Sequence, residues 1–252
     1  MVVYDGPSML DGSPILGIIT GVNSASTNVK TGPMAQLYII AAEEHPVNAL
    51  KSGGDAGICG DCKHRPVNLG SCYVVVAQGA SAVFRAWQQG NYPTATPEQA
   101  NQILRDKGKS LRLGAYGDPA ALPIELLRRL TPGLRYTGYT HQWKSCDPGY
   151  KLYTMASVDT PVEHAKAKAM GWRTFRVRLE SEPLFAGAEI MCPASEEMGF
   201  RTTCDKCILC QGTATKARDI AIVVHGQHVN KFINLRRSDG STIQSSTRGP
   251  IA

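Results

Sequence analysis

The stretch "LRLGAYGDPAALPIELLRRLTPGLRYTGYTHQW", residues 111–143, constrains the fold more than any other. A strand-length apolar run ends in Gly-Asp-Pro, a helix-like run ends in Pro-Gly, and a second strand-like run follows. The alternation continues to residue 226. It predicts strands over "YKLYTMASVD", "WRTFRVRL", "AEIMCPAS" and "DIAIVVHG", and a helix over "TPVEHAKAKAMG" with a Thr cap and a terminal Gly. Strands alternating with helices or loops argue for an α/β fold built on a largely parallel sheet. Eight full strand–helix units do not fit comfortably in 252 residues. The expected architecture is therefore a compact, incomplete or distorted β/α (TIM-like) barrel carrying Cys-rich metal-binding loops. It reads as a single domain: residues 1–50 are N-terminal strands and turns, 51–226 the metal-binding core and 227–252 a C-terminal tail. The 25 glycines and 15 prolines point to short elements and many connections. In "YVVVAQGASAVFRAWQQG", Val83, Phe84 and Trp87 fall on one buried helical face, and Thr96 with Gln99 reads as a capping box.

Several of these strands run into polar residues at their C-terminal ends: Asp118, His141, Asp159, Cys192 and His225. Parallel β/α proteins place ligands at that edge. Asp118 and Asp159 are candidate nucleophiles or general bases, and each also suits the cap of the helix that follows it. Tyr116 and Gly117 flank Asp118 as candidate substrate contacts. His141 is a third catalytic candidate, and Gln142 and Trp143 beside it can hydrogen-bond and stack a planar ligand. His225 ends an apolar strand. Arg176 and Arg178 share one strand face and are candidates for phosphate binding, or for a solvated surface.

The chain holds eight cysteines, seven of them clustered. Cys192 precedes Cys204-x2-Cys207-x2-Cys210, a set of four thiolates suited to tetrahedral zinc or a [4Fe–4S] cluster. Cys59-x2-Cys62-x9-Cys72, with His64 between, supplies three thiolates and leaves a vacancy for His64 or for a substrate. The spacing leaves zinc and iron–sulfur open, as well as one centre or two. The start of the chain lacks a secretory pattern, and nothing approaches the ~18 apolar residues of a membrane span. A soluble, cytoplasmic, reducing setting is therefore expected, in which clustered cysteines bind metal rather than form disulfides. Net charge is +6, mildly favouring an anionic partner such as nucleic acid. No Walker loop, G-x-S-x-G elbow or G-x-G-x-x-G fingerprint is present, which disfavours a nucleotide hydrolase, a serine esterase or a classical dehydrogenase.

"CGDCKHRPVNLGSCYVVVAQGASAVFRAWQQGNYP", "LRLGAYGDPAALP", "YTGYTHQW", "MASVDT", "GWRTFRV" and "CPASEEMGFRTTCDKCILCQG" together resemble a set of bacteriophage proteins over residues 55–226. A more distant resemblance, carried by motif order, is to the phage gene product 88 family. Its motifs correspond here to Cys72-Tyr73, Gly117-Asp118, Tyr139-Thr140 and Cys204 to Cys210. That family is similar in turn to the guanine transglycosylases, which exchange guanine for a 7-deazaguanine in nucleic acid. The resemblance implies a β/α barrel, catalytic aspartates at strand ends, a three-cysteine zinc site and work in the host cytoplasm. The transglycosylase zinc motif is Cys-x-Cys-x2-Cys followed by His. This chain has Cys-x2-Cys-x2-Cys and an added early cluster, so an iron–sulfur, radical-type enzyme of DNA hypermodification stands beside base exchange. A metal-stabilised phage protein that binds a host factor or DNA without catalysis is the third expectation.

Overall fold

The computed structural model describes residues 1–24, 28–68, 70–226 and 228–238. Among the described residues nine strands form one mixed sheet: β1 Val2–Pro7, β2 Pro14–Thr20, β3 Ala35–Ala41, β4 Leu111–Tyr116, β5 Tyr136–Thr140, β6 Met155–Val158, β7 Thr174–Arg178, β8 Glu189–Met191 and β9 Asp219–Val223. The order across the sheet is β1-β2-β3-β4-β5-β6-β7-β9-β8. The first three strands pair antiparallel, and every pairing from β3 onward is parallel. Among the described residues the sheet is open, with β1 and β8 at its two edges.

The helices are α1 Pro46–Ser52, α2 Ala56–Cys59, α3 Gly79–Gln88, α4 Pro97–Asp106, α5 Ile124–Leu130, α6 Pro161–Ala169, α7 Cys204–Cys207 and α8 Val229–Ser238. Local chemistry sets their starts. Thr96 and Gln99 form the reciprocal capping box of α4, and Thr160 accepts the Glu163 N–H at the start of α6. Helix α1 begins within residues 1–50, where strands and turns were expected, and two elements of the alternating region also differ from the sequence expectation. In "YKLYTMASVD" only Met155–Val158 is a strand; Pro148–Leu152 forms a 3-10 turn, because Asp147 accepts the Gly149 N–H and Pro148 suits a first helical position. In "AALPIELLRRLTPG" the helix begins at Ile124, after a separate 3-10 turn over Pro119–Ala121. Pro123 holds the preceding Leu122 extended, at ψ 152. The segment read as a C-terminal tail carries α8, and the rest of it, 239–252, lies outside the described residues.

Register decides what each strand shows to each face. Leu111, Leu113 and Tyr136, with Ala156 and Val158, join the main core with Ala100 and Leu104 of α4 and Leu126, Leu127 and Leu130 of α5. The opposite face carries Gln36, Arg112, Thr137 and Tyr139, then Met155, Phe175, Ile220 and Ile190 in successive register. There a smaller cluster forms from Met155, Phe175, Ile220, Ile222, Cys192 and Cys210, with Tyr139 and Cys204 packed against it. Tyr139 and Phe175 lie 4.3 Å apart, centroid to centroid. The placement of Cys192, Cys204 and Cys210 is thus tied to the second face.

Candidate metal and substrate site

The late cysteines converge on this smaller cluster from two stretches. Cys192 follows β8, Cys204 and Cys207 bound α7, and Cys210 lies three residues on. The four thiols lie within electrostatic reach of one another, and Tyr139 donates to Cys210. Burial pushes the Cys210 thiol up to about 12 and Cys204 up to about 11. Lys30 stands close enough to Cys192 and Cys204, and Arg112 to Cys204, to offset negative charge there. Ile208, at φ 52, ends α7 in a left-handed conformation costly for a β-branched residue, and so redirects the chain toward Cys210. Arg173 holds the following loop, donating to the carbonyls of Leu209, Gly212, Ala217 and Arg218 at 2.6–3.0 Å.

The early cysteines occupy the loop that crosses the C-terminal edge of the parallel strands. Cys59, Cys62 and Cys72 are in mutual electrostatic reach, and burial raises all three thiols. Arg65 braces this loop as Arg173 braces the other: it pairs with Asp55 at 2.6 Å and donates to the carbonyls of Gly53 and Gly60. Gln142 donates to Cys59 O at 2.8 Å, and His228 Nδ1 lies 2.6 Å from Cys72 O.

Among the described residues, no group of three or more His, Cys, Asp or Glu side chains is drawn together tightly enough to hold a metal ion. The donor chemistry nevertheless fits a thiophilic one. The backbone N–H of His64, Val74 and Ala194 each donates to the thiol two residues before it, at Cys62, Cys72 and Cys192. Such bonds favour the thiolate, the form a metal takes, against the burial that opposes it. The sites that fit are Cys192, Cys204, Cys207 and Cys210, and separately Cys59, Cys62 and Cys72.

The strand-end residues divide into braces and uncommitted groups. Asp118 is a brace. Its Oδ1 accepts the Ala120 N–H at 2.9 Å, its Oδ2 accepts the His141 N–H at 2.7 Å, and burial raises its carboxyl. Gly117, at φ 78, packs against β3, where an added Cβ would sit 2.6 Å from Ile39 O. Trp143 is core, 1% exposed, and donates to Ser157 O at 3.0 Å. Arg176 is buried in a bidentate pair with Glu189 at 2.7–2.8 Å, and Arg178 donates to the carbonyls of Leu179, Glu180 and Glu182. Both arginines lie on the opposite face from Phe175 and the late cysteines, because strand parity alternates.

Asp159 is different. With Thr160 capping α6, its carboxylate is left to reach the early loop: Oδ2 lies 2.8 Å from His64 Nε2 and 2.9 Å from Lys63 Nζ. Burial raises this carboxyl, but His64 and Lys63 outweigh it and hold the group well below the usual carboxylate range. Its Oδ1 is buried without a hydrogen-bond partner. Tyr116 Oη is likewise buried and unpartnered, within electrostatic reach of Cys59 and Cys72. His141 stands half-buried beside His64, ring centroids 5.2 Å apart. His225 is exposed at the end of β9, 6.2 Å from the Tyr73 ring. A cleft of about 690 Å³ opens on the outer side of the early loop, between Gly60, Gln142, Cys146 and Tyr150.

Lys63, Arg65, Arg112 and Arg173, which were not site candidates in the sequence, hold the site together with Tyr73, which entered there only through the Cys72-Tyr73 motif. Arg112 left a trace in the sequence, as a charge between Leu111 and Leu113 in a strand pattern. Compared with known proteins, the chain matches no family model, no curated protein and no solved structure.

Proposed function

We propose that this chain is an enzyme that modifies nucleic acid by exchanging a base, guanine being the base to which its phage resemblance points. The carrying observation is Asp159: a buried carboxylate at the end of a parallel strand, kept ionised by His64 and Lys63, with one oxygen uncommitted. In base exchange such an oxygen attacks C1′ of the nucleotide. The glycosidic bond breaks, and the leaving base takes the bonding electrons and a proton. An incoming base attacks C1′ with a ring nitrogen, loses its proton and frees the carboxylate. In this reading His141, whose ring makes no hydrogen bond among the described residues, gives the leaving base that proton and takes one back from the incoming base. Asp159 is only 1% exposed, so substrate entry lifts Lys63 and His64, together with Phe232 stacked on His64. The finer architecture we assign is a partial β/α barrel, a reading supported by the parallel, mostly sequential strand order from β3 onward.

The late cysteines would hold a closed, structural ion. Zinc held by these four thiolates would supply a fold-stabilising centre. A second reading, iron–sulfur chemistry at Cys59, Cys62 and Cys72, is favoured by one observation: the unpartnered Tyr116 Oη beside Cys59 and Cys72.

The test is incorporation of labelled guanine or a 7-deazaguanine into DNA and into tRNA by anaerobically purified protein, with iron and zinc measured on the same sample. Exchange that vanishes in Asp159→Asn while the variant remains folded at the assay temperature supports base exchange. Exchange that survives this substitution, or no exchange on either nucleic acid, ends it. A brown preparation containing iron bound through Cys59, Cys62 and Cys72 moves the assignment to the second reading.

A further inference from the structure

The sequence offers Arg176 and Arg178 for phosphate, and the structure engages both with internal acceptors. A different guanidinium has the right setting. Arg112 lies on β4 in register with Thr137 and on the cysteine-bearing face. It is half-buried, and among the described residues no carboxylate pairs with it. Its Nη2 donates to Tyr73 Oη at 2.5 Å in a solvent-exposed contact. Tyr73 follows Cys72 directly and is 54% exposed, with the exposed His225 ring 6.2 Å away. Lys30, also half-buried, adds positive charge near Cys192 and Cys204 on the same face.

We propose that Arg112, Tyr73 and His225 form a binding site for single-stranded nucleic acid, with a backbone phosphate on Arg112 and the neighbouring base stacked on Tyr73. A guanidinium without a counter-ion has donors to offer a phosphate in fork geometry. An exposed aromatic beside it is the recurring partner for an unpaired base, because every base has a π-face. The site spans the gap between the two cysteine groups, with Tyr73 adjoining Cys72 and Arg112 in electrostatic reach of Cys204. It therefore presents a strand along the cysteine-bearing face, leading toward the early loop. This deepens the base-exchange reading by naming single-stranded nucleic acid as its substrate form, and it rests on that reading for its purpose, though not for its geometry.

The competing role for Arg112 is to neutralise thiolates at Cys204. The test separates the two. Fluorescence anisotropy of a labelled mixed-sequence single-stranded DNA is followed against salt for the wild type, Arg112→Gln, Arg112→Lys and Tyr73→Ala, with zinc and iron content and melting temperature measured on each. The expected result is roughly tenfold weaker binding for Tyr73→Ala, the scale of one lost stacked base. For Arg112→Gln the slope of log affinity against log salt falls by about 0.7, the change for one phosphate contact on a single strand, and Arg112→Lys keeps most of that slope. Metal content stays constant across the set. Unchanged binding in Arg112→Gln and Tyr73→Ala overturns the site. Loss of metal in Arg112→Gln with binding retained overturns it in favour of the thiolate role. Binding of this kind by a protein without exchange activity upholds the site while removing the base-exchange reading.

Discussion

His64 Nε2 lies 2.8 Å from Asp159 Oδ2, and that contact joins the early cysteine loop to the end of a parallel strand. His64 Nδ1 is engaged at the same time by Ser71 Oγ, 2.6 Å away, so the ring is held from both sides. The loop's thiols are thereby fixed over the strand ends rather than left on a free excursion.

The Asp159 contacts make stability depend on acid pH. A carboxyl whose folded pKa is depressed stabilises fully above its unfolded value, about 3.9, and loses that stabilisation as pH falls through the folded value. Glu163, lowered by Lys63 against the opposing effect of burial, adds in the same direction. Denaturant unfolding from pH 6 down to pH 2 should show a steep loss below about pH 5 in the wild type. Asp159→Asn should flatten that slope.

Asp118 carries two buried hydrogen bonds, to Ala120 N and His141 N. Asp118→Ala leaves both donors without this acceptor and should cost roughly 2–4 kcal/mol in urea unfolding. Asp118→Asn keeps the shape and one strong acceptor, and should cost less. Equal losses for both substitutions would remove its assignment as a brace.

Gly117 has a positive φ of 78 and no room for a methyl group against Ile39 O. Gly117→Ala combines the left-handed penalty of roughly 1–2 kcal/mol with a clash against backbone. A drop in melting temperature of several degrees is expected, and an unchanged midpoint would contradict this packing.

Arg176 and Glu189 form a buried pair. Removing one partner, as in Arg176→Ala, should destabilise by about 3–5 kcal/mol, whereas replacing both by apolar residues of similar volume should cost far less. A double-mutant cycle read by guanidinium unfolding checks this.

Burial keeps the Cys204 and Cys210 thiols protonated at neutral pH, at about 11 and about 12. A metal that takes them as thiolates must release their protons. Zinc added to metal-free protein at pH 7 in weak buffer should acidify the solution by more than one proton per ion bound, and Cys210→Ser should reduce that number. Zinc uptake without proton release would place the ion elsewhere.

Features that act over a few residues could be read directly from the chain. The Thr96–Gln99 capping box, the Asp118 cap before Pro119 and strands β4 and β7 were all legible, because caps, prolines and period-two patterns act within a turn or two. So was the gathering of polar residues at strand ends, and four cysteines of one spacing family proved close in space. Tertiary structure alone decided which groups were free. Asp118 and Asp159 look alike in sequence, yet the first is bonded at both oxygens and the second reaches across to His64. Arg176 and Arg112 both sit in alternating strands, yet register turns one toward Glu189 and the other toward Tyr73, 39 residues away in the chain. A side chain's availability is set by partners distant in sequence, and only the pairing of the strands brings those partners into reach.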